Sequence, residues 1–164
     1  MTEFYKEITP NGYGIAIKKK STLFSEQSEF QKVEIIESDS TLGKFLTLDD
    51  LMMCTEGDEF YYHEMISHIP MMHHKAPKSV LVIGGGDGGT IREVLKHKTV
   101  EKVVLCEIDG MVIDACKKYL PTMACELDNP KVEIKVEDAI EFIKDKNDEY
   151  DIILIDSTDP MGPG

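Results

Sequence analysis

The sequence predicts an α/β protein: a small antiparallel β unit over residues 1–56, then a parallel sheet with helices on both faces over residues 57–164. Three observations carry this. Short strand-like runs punctuated by turn residues fill the first part. Beyond Pro77 continuous apolar runs alternate with helical segments, the pattern of a parallel sheet buried on both sides. The first of those runs, Val80-Leu81-Val82-Ile83, enters a glycine-rich turn, Gly84-Gly85-Gly86-Asp87-Gly88-Gly89.

In chain order, Gly14 to Lys19, Lys32 to Ile36, Lys44 to Leu48 and Leu51 to Cys54 read as strands, with Gly12, Asp39-Ser40 and Asp49-Asp50 as turns. A helix follows from Glu59 to Ile69, where Phe60, Ile66 and Ile69 lie near helical spacing. Thr55 and Asp58 are its candidate caps, and Pro70 is expected to end or kink it. The parallel strands are expected at Ser79 to Ile83, Lys102 to Cys106, Val132 to Val136 and Asp151 to Ile155. Their helices are expected at Thr90 to His97, Met111 to Tyr119 and Ala139 to Lys144.

With 164 residues and 41% hydrophobic composition, the chain can bury one modest core. A formal net charge of -13 argues against nucleic acid and anionic membrane as partners, because binding phosphates takes clustered Lys and Arg. Small cations suit such a surface. Lys18-Lys19-Lys20 is a short solvated run, and Cys54, Cys106, Cys116 and Cys125 are too scattered for a disulfide scaffold or a C-x-x-C metal site. Cys106, inside an apolar run, is expected to be a buried small hydrophobe. No basic, apolar leader opens the chain and no run approaches bilayer length, so a cytoplasmic protein is expected.

Gly84, Gly86 and Gly89 fit the G-x-G-x-x-G fingerprint, in which missing Cβ atoms let the backbone turn sharply and let a ligand approach the next helix. Asp87 sets this loop apart. A pyrophosphate would meet a like charge there, whereas a cationic ligand would be held. Each parallel strand also delivers acids at its carboxyl end: Asp87, then Glu107 and Asp109, then Glu137 and Asp138, then Asp156 and Asp159. These ends share the sheet edge where ligands bind, so the acids are expected to converge. Glu107 lies about twenty residues past the loop, where a carboxylate accepts both ribose hydroxyls. Asp138 suits the exocyclic amine of adenine, or caps the helix that starts at Ala139, and Pro163 offers an apolar face to the ring. His63, His68, His73 and His74 lack the i, i+4 spacing of a zinc helix, so no metal site is expected.

The run Ile153-Leu154-Ile155-Asp156-Ser157-Thr158-Asp159-Pro160-Met161-Gly162-Pro163 is the most specific in the chain. Together with Ile83 to Gly89, Cys106-Glu107-Ile108-Asp109 and Asp58-Glu59-Phe60-Tyr61-Tyr62-His63-Glu64-Met65, it closely resembles the spermidine synthases, the polyamine aminopropyltransferases, over essentially the whole chain. The resemblance implies a Rossmann-like, methyltransferase-type catalytic domain that acts as a homodimer or higher homo-oligomer. It implies no cofactor beyond decarboxylated S-adenosylmethionine as co-substrate, with putrescine as the amine. By the same resemblance Asp156 is the proton acceptor, and Tyr62, His63, Asp87 and Asp159 line the polyamine and aminopropyl site. Gln31, Gly84, Gly86, Glu107, Asp138, Ala139 and Pro163 fall to the thioadenosine portion.

The chemistry such a family performs explains the acids. Amine and sulfonium both arrive positively charged, and joining them in a partly desolvated cleft requires carboxylates to offset the repulsion and align the reactants. Asp87 would repel the extra carboxylate of intact S-adenosylmethionine. Proton transfer from an alkylamine to an ordinary Asp is uphill by roughly 9 kcal/mol, so Asp156 needs a sulfonium-acidified amine or a late proton loss. Two other readings stand beside this one: methyl transfer from S-adenosylmethionine to a diamine, and a non-catalytic nucleoside-binding or assembly module. Family members continue past the acidic loop, so the chain reads as the N-terminal portion of a synthase, truncated after the fourth parallel strand and incomplete for turnover alone. The strand from Asp151 to Asp156 is then expected as an apolar edge.

Overall fold

The computed structural model describes residues 3–157, so the expected roles of Asp159 and Pro163 fall on residues outside that range. Five antiparallel strands form the first sheet in sequence order: β1 (Phe4–Ile8), β2 (Gly14–Gln27), β3 (Lys32–Ser38), β4 (Lys44–Leu48) and β5 (Leu51–Thr55). Then come α1 (Glu59–His73), β6 (Ser79–Gly84), α2 (Gly89–Leu95), β7 (Lys102–Glu107) and α3 (Gly110–Tyr119). After a 3₁₀ turn (Ala124–Glu126) follow β8 (Val132–Val136), α4 (Ala139–Ile143) and β9 (Ile152–Asp156). The second sheet is parallel, in the order β8-β7-β6-β9.

The continuous apolar strands are buried on both faces, as their composition requires. On one face Val80, Val82, Val103 and Leu105 pack with Ile91 and Val94 of α2 and Val112 and Cys116 of α3. Val33, Ile35 and Leu46 of the first sheet join the same cluster. On the other face Leu81, Val104 and Cys106 meet Ala139 and Phe142 of α4 and Tyr150. Burying one such Leu or Val stabilises the fold by about 1.5–3 kcal/mol. At β9, Ile152 and Leu154 are buried while Ile153 and Ile155 are exposed, and within the described residues β9 is the apolar edge strand the sequence led one to expect. No helix among the described residues is long and apolar enough to cross a membrane.

Several local expectations change. β1 is absent from the sequence reading because only Tyr5 of Phe4-Tyr5-Lys6-Glu7-Ile8 is buried, and its strand character comes from pairing with Gly14 to Lys18. β2 runs past Lys19 to Gln27. Its first part, Gly14 to Lys18, pairs with β1 and its second, Lys19 to Gln27, with β3 through bulges near Ser21 and Phe24, while the lysines form ion pairs at the surface (Lys18 with Asp39, Lys19 with Glu3, Lys20 with Glu37). α1 passes through Pro70 to His73. A proline removes its own donor and crowds the carbonyl four residues back, but in this last turn its own carbonyl still accepts from His74 N–H at 3.2 Å. Asp58 stands at the N-cap position without capping; it accepts the Thr55 hydroxyl instead, at 2.7 Å.

Gln31 sits in the turn between β2 and β3 and helps join the two sheets. Its Nε2 donates to Asp109 Oδ2 at 3.1 Å, beside the Ser28 hydroxyl at 2.7 Å, while Asp109 Oδ1 caps α3 through Met111 N–H at 3.0 Å. Asp109→Ala removes the cap and orphans two donors, so a loss of about 2–4 kcal/mol is expected in urea unfolding. Asp109→Asn, which keeps an accepting oxygen, should cost less. Equal and negligible losses for both would show that this connection contributes nothing.

Candidate functional site

β6 lies between β7 and β9, so the connection from β8 back to β9 crosses over β7 and β6 and puts the reversal of strand order between β6 and β9, the place where such sheets bind ligands at their carboxyl ends. Gly84 and Asp156 are register partners at that point. Gly84 and Gly85 take φ of +75° and +72°, and a Cβ on Gly84 would stand 2.2 Å from the Asp156 carbonyl oxygen. Side chains are thus barred from the turn, and the strand carrying Asp156 closes against it. Gly89 opens α2 against the His63 ring, where a Cβ would lie 2.3 Å from the ring atoms. The glycine pattern therefore packs a histidine and a carboxylate against one turn.

His63, Asp87 and Asp156 form the centre, each offering an atom within 4.8 Å of the others'. His63 of α1 is 1% exposed. Its Nδ1 lies 2.5 Å from Glu59 Oε2, one helical turn back, and its Nε2 lies 3.3 Å from Asp87 Oδ1. Asp87 Oδ1 also accepts Gly89 N–H at 2.7 Å, which ties this acid to the first residue of α2. Asp156 Oδ2 accepts the Thr90 hydroxyl at 2.6 Å, and Tyr62 hydrogen-bonds the same carboxylate.

The charges in this cluster set one another. Burial works to lower the His63 pKa, but the Asp87 and Glu59 carboxylates outweigh it and hold the imidazole up to about 9. Burial pushes Asp87 upward and its hydrogen bond to His63 pulls harder the other way, leaving it below the usual carboxylate value. Asp156 is raised, first by burial and then by the negative charge of Asp87. One carboxylate is thus committed to its charge, and its neighbour is a readier proton acceptor than an ordinary Asp. His63, Asp87 and Asp156 are also of the ligand types that a metal ion can share.

The remaining candidates are placed unevenly. Glu107 lies beside the turn and is held by two backbone donors, Gly86 N–H at 3.1 Å and Asp109 N–H at 3.0 Å; burial raises its pKa and these bonds oppose the rise. Asp138 caps α4 through Ile140 N–H at 2.8 Å and is exposed, as is Glu137, so the acids after β8 do not join the Asp87–Asp156 cluster. Ala139 packs on the sheet face below them. Cys106 is buried, as its apolar surroundings imply. His68 turns away to His97 at 2.9 Å and Glu93 at 3.2 Å. The sequence reading passed over Glu59, Thr90 and Arg92. Glu59 alone left a trace there, at the i, i+4 spacing from His63.

Comparison with known proteins gives a consistent picture. The model of the spermine/spermidine synthase domain matches residues 59–164, and that of the spermidine synthase tetramerisation domain matches residues 3–56. Polyamine aminopropyltransferases of Clostridium botulinum (strain Alaska E43 / Type E3) and Alkaliphilus oremlandii (strain OhILAs) are each 50% identical over all 164 residues, which span 57% of those relatives. Among solved structures, a spermidine synthase in complex with the transition state analogue AdoDATO superposes with a TM-score of 0.93 at 48% identity. The match covers 96% of this chain and 54% of that one. The spermidine synthase from Thermotoga maritima gives 0.91 at 46% identity, covering 94% and 54%. The chain thus spans a little over half the length of the proteins it matches.

The His63 arrangement makes stability depend on pH. The folded imidazole keeps its proton up to about 9, against 6.5 unfolded. Its stabilisation is therefore complete below pH 6.5 and disappears as pH rises through 9. Urea midpoints should fall across this window, and His63→Asn should flatten the fall. An unchanged slope in the variant would assign the pH dependence elsewhere.

Proposed function

The chain belongs to the spermine/spermidine synthase family, and from that premise we propose that it forms the nucleoside- and amine-binding portion of a polyamine aminopropyltransferase. The reaction is transfer of the aminopropyl group of decarboxylated S-adenosylmethionine to putrescine, giving spermidine and methylthioadenosine. The observation that carries the reading is the pairing of Asp87 and Asp156 at the switch point, where two cations must be brought together. A buried pair of carboxylates offsets the repulsion between ammonium and sulfonium and holds them in line.

In this reading Asp156 takes the proton of the attacking amine. Its raised pKa narrows the uphill step, and the Thr90 hydroxyl holds Oδ2 in place. Asp87, held ionised, receives the cationic end of the aminopropyl donor and disfavours donors that retain a carboxylate. Tyr62 and His63 complete the amine wall, and we assign Asp159 to it as well. Glu107 faces the ribose hydroxyls; Gly84, Gly86, Gln31, Asp138, Ala139 and Pro163 are assigned to the rest of the thioadenosine. Asp138 keeps one oxygen for capping and offers the other to the adenine amine.

We further divide the chain at residue 56, with residues 1–56 as the assembly unit of a homo-oligomer and residues 57–164 as the beginning of the catalytic domain. The tetramerisation-domain match supports this division. A cytoplasmic setting and independence from metal belong to the same reading. The test is to incubate the chain, and a version extended at its C-terminus, with labelled decarboxylated S-adenosylmethionine and a panel of diamines, reading products by mass spectrometry. The extended version should add aminopropyl, and Asp156→Asn should lose most turnover, about 100-fold or more, while keeping nucleoside binding. A methyl group on the product would replace this reading with methyl transfer. Near-normal turnover by Asp156→Asn would show that Asp156 only positions the amine.

A further inference from the structure

We propose that Glu59 is a positioning residue of this site: it holds His63 as an imidazolium strapped to Asp87, so that Asp156 alone is left to accept the proton. The inference rests on the aminopropyl-transfer reading for its purpose, but its geometry stands independently.

A neutral imidazole carries one N–H. Here both ring nitrogens face carboxylate oxygens, Glu59 at 2.5 Å and Asp87 at 3.3 Å, in a side chain 1% exposed. A neutral ring would turn a lone pair toward one of those carboxylates in a place water cannot reach, and such buried repulsion is costly. With both carboxylates ionised, the doubly protonated ring donates to each of them. The groups facing it are Glu59 and Tyr62 from α1, Asp87 from the glycine turn and Asp156 from β9. Glu59 is itself fixed from α2: the same Oε2 accepts Arg92 Nη2 at 2.9 Å, while Arg92 Nη1 reaches the Thr122 carbonyl and Nε reaches Glu93. A chain of alternating charge therefore runs from Arg92 through Glu59 and His63 to Asp87.

Two neighbouring carboxylates left alone share a proton, and neither is a dedicated base. A cation held against one of them breaks that symmetry. Asp87 Oδ1 is occupied by His63 and Gly89 N–H, whereas the donors to Asp156 among the described residues are the Thr90 and Tyr62 hydroxyls. Remove the charge of Glu59, and His63 gives up its proton more easily. Asp87 and Asp156 then compete for protons.

The test needs neither reactant, which separates its failure from failure of the functional reading. In the ¹⁵N-labelled chain at pH 7.5, both His63 ring nitrogens should show imidazolium shifts and titrate near 9. Glu59→Gln should lower that midpoint by about one unit or more and raise the titration of the Asp87 carboxyl. Glu101→Gln, at an exposed surface pair with Lys78, should change neither. A neutral His63 at pH 7.5 in the unsubstituted chain overturns the proposal, as does an unchanged His63 titration in a folded Glu59→Gln. If that variant does not fold by circular dichroism, the unsubstituted chain decides alone.

Discussion

Close approach at one glycine turn is the constraint on which the site depends. Because no Cβ stands at Gly84, Gly85 or Gly89, the end of β9 and the body of α1 come into contact with the same few residues of backbone. That contact places two carboxylates and a histidine where strand order reverses. Acids at such distances in a buried place would repel, and the arrangement persists because His63 supplies a cation against Asp87 and Glu59 supplies its counter-charge. The cost of burying these charges is offset by pairing, and the arrangement supports the proposal that cationic ligands bind beside Asp87 and Asp156.

The same interaction orders the chemistry. Asp87 is committed by its partners, while Asp156 is biased toward taking a proton by burial and by Asp87 itself. Environment alone thus separates two residues of identical type. Glu107 shows the complementary treatment: its two oxygens are oriented by backbone donors beside the turn, an arrangement suited to receiving hydroxyl groups instead of cations.

Much of this was legible in the residues. The apolar strand entering a glycine turn, the alternation after Pro77 and the acids at the strand ends gave the parallel sheet and the nearness of Asp87 to Asp156. What the sequence concealed depends on long-range contact. β1 is a strand only because β2 lies beside it, and β2 continues beyond Lys19, where the sequence reading ended the strand at a solvated charge run. The Ser28 and Gln31 bonds to Asp109 join positions 81 and 78 residues apart, beyond the reach of any local pattern. The expected gathering of all strand-end acids was too simple. The β8 end presents its acids to solvent, because Asp138 is used to start α4.

The central claim is that the hollow between Asp87 and Asp156 binds organic cations. Titrating putrescine into the ¹⁵N-labelled chain in the presence of methylthioadenosine tests it most directly. The account predicts saturable shift changes confined to Tyr62, His63, Asp87 to Thr90 and Asp156, and their disappearance when both Asp87 and Asp156 are changed to Asn. Shift changes scattered over the acidic surface, or unaffected by the double substitution, would contradict it.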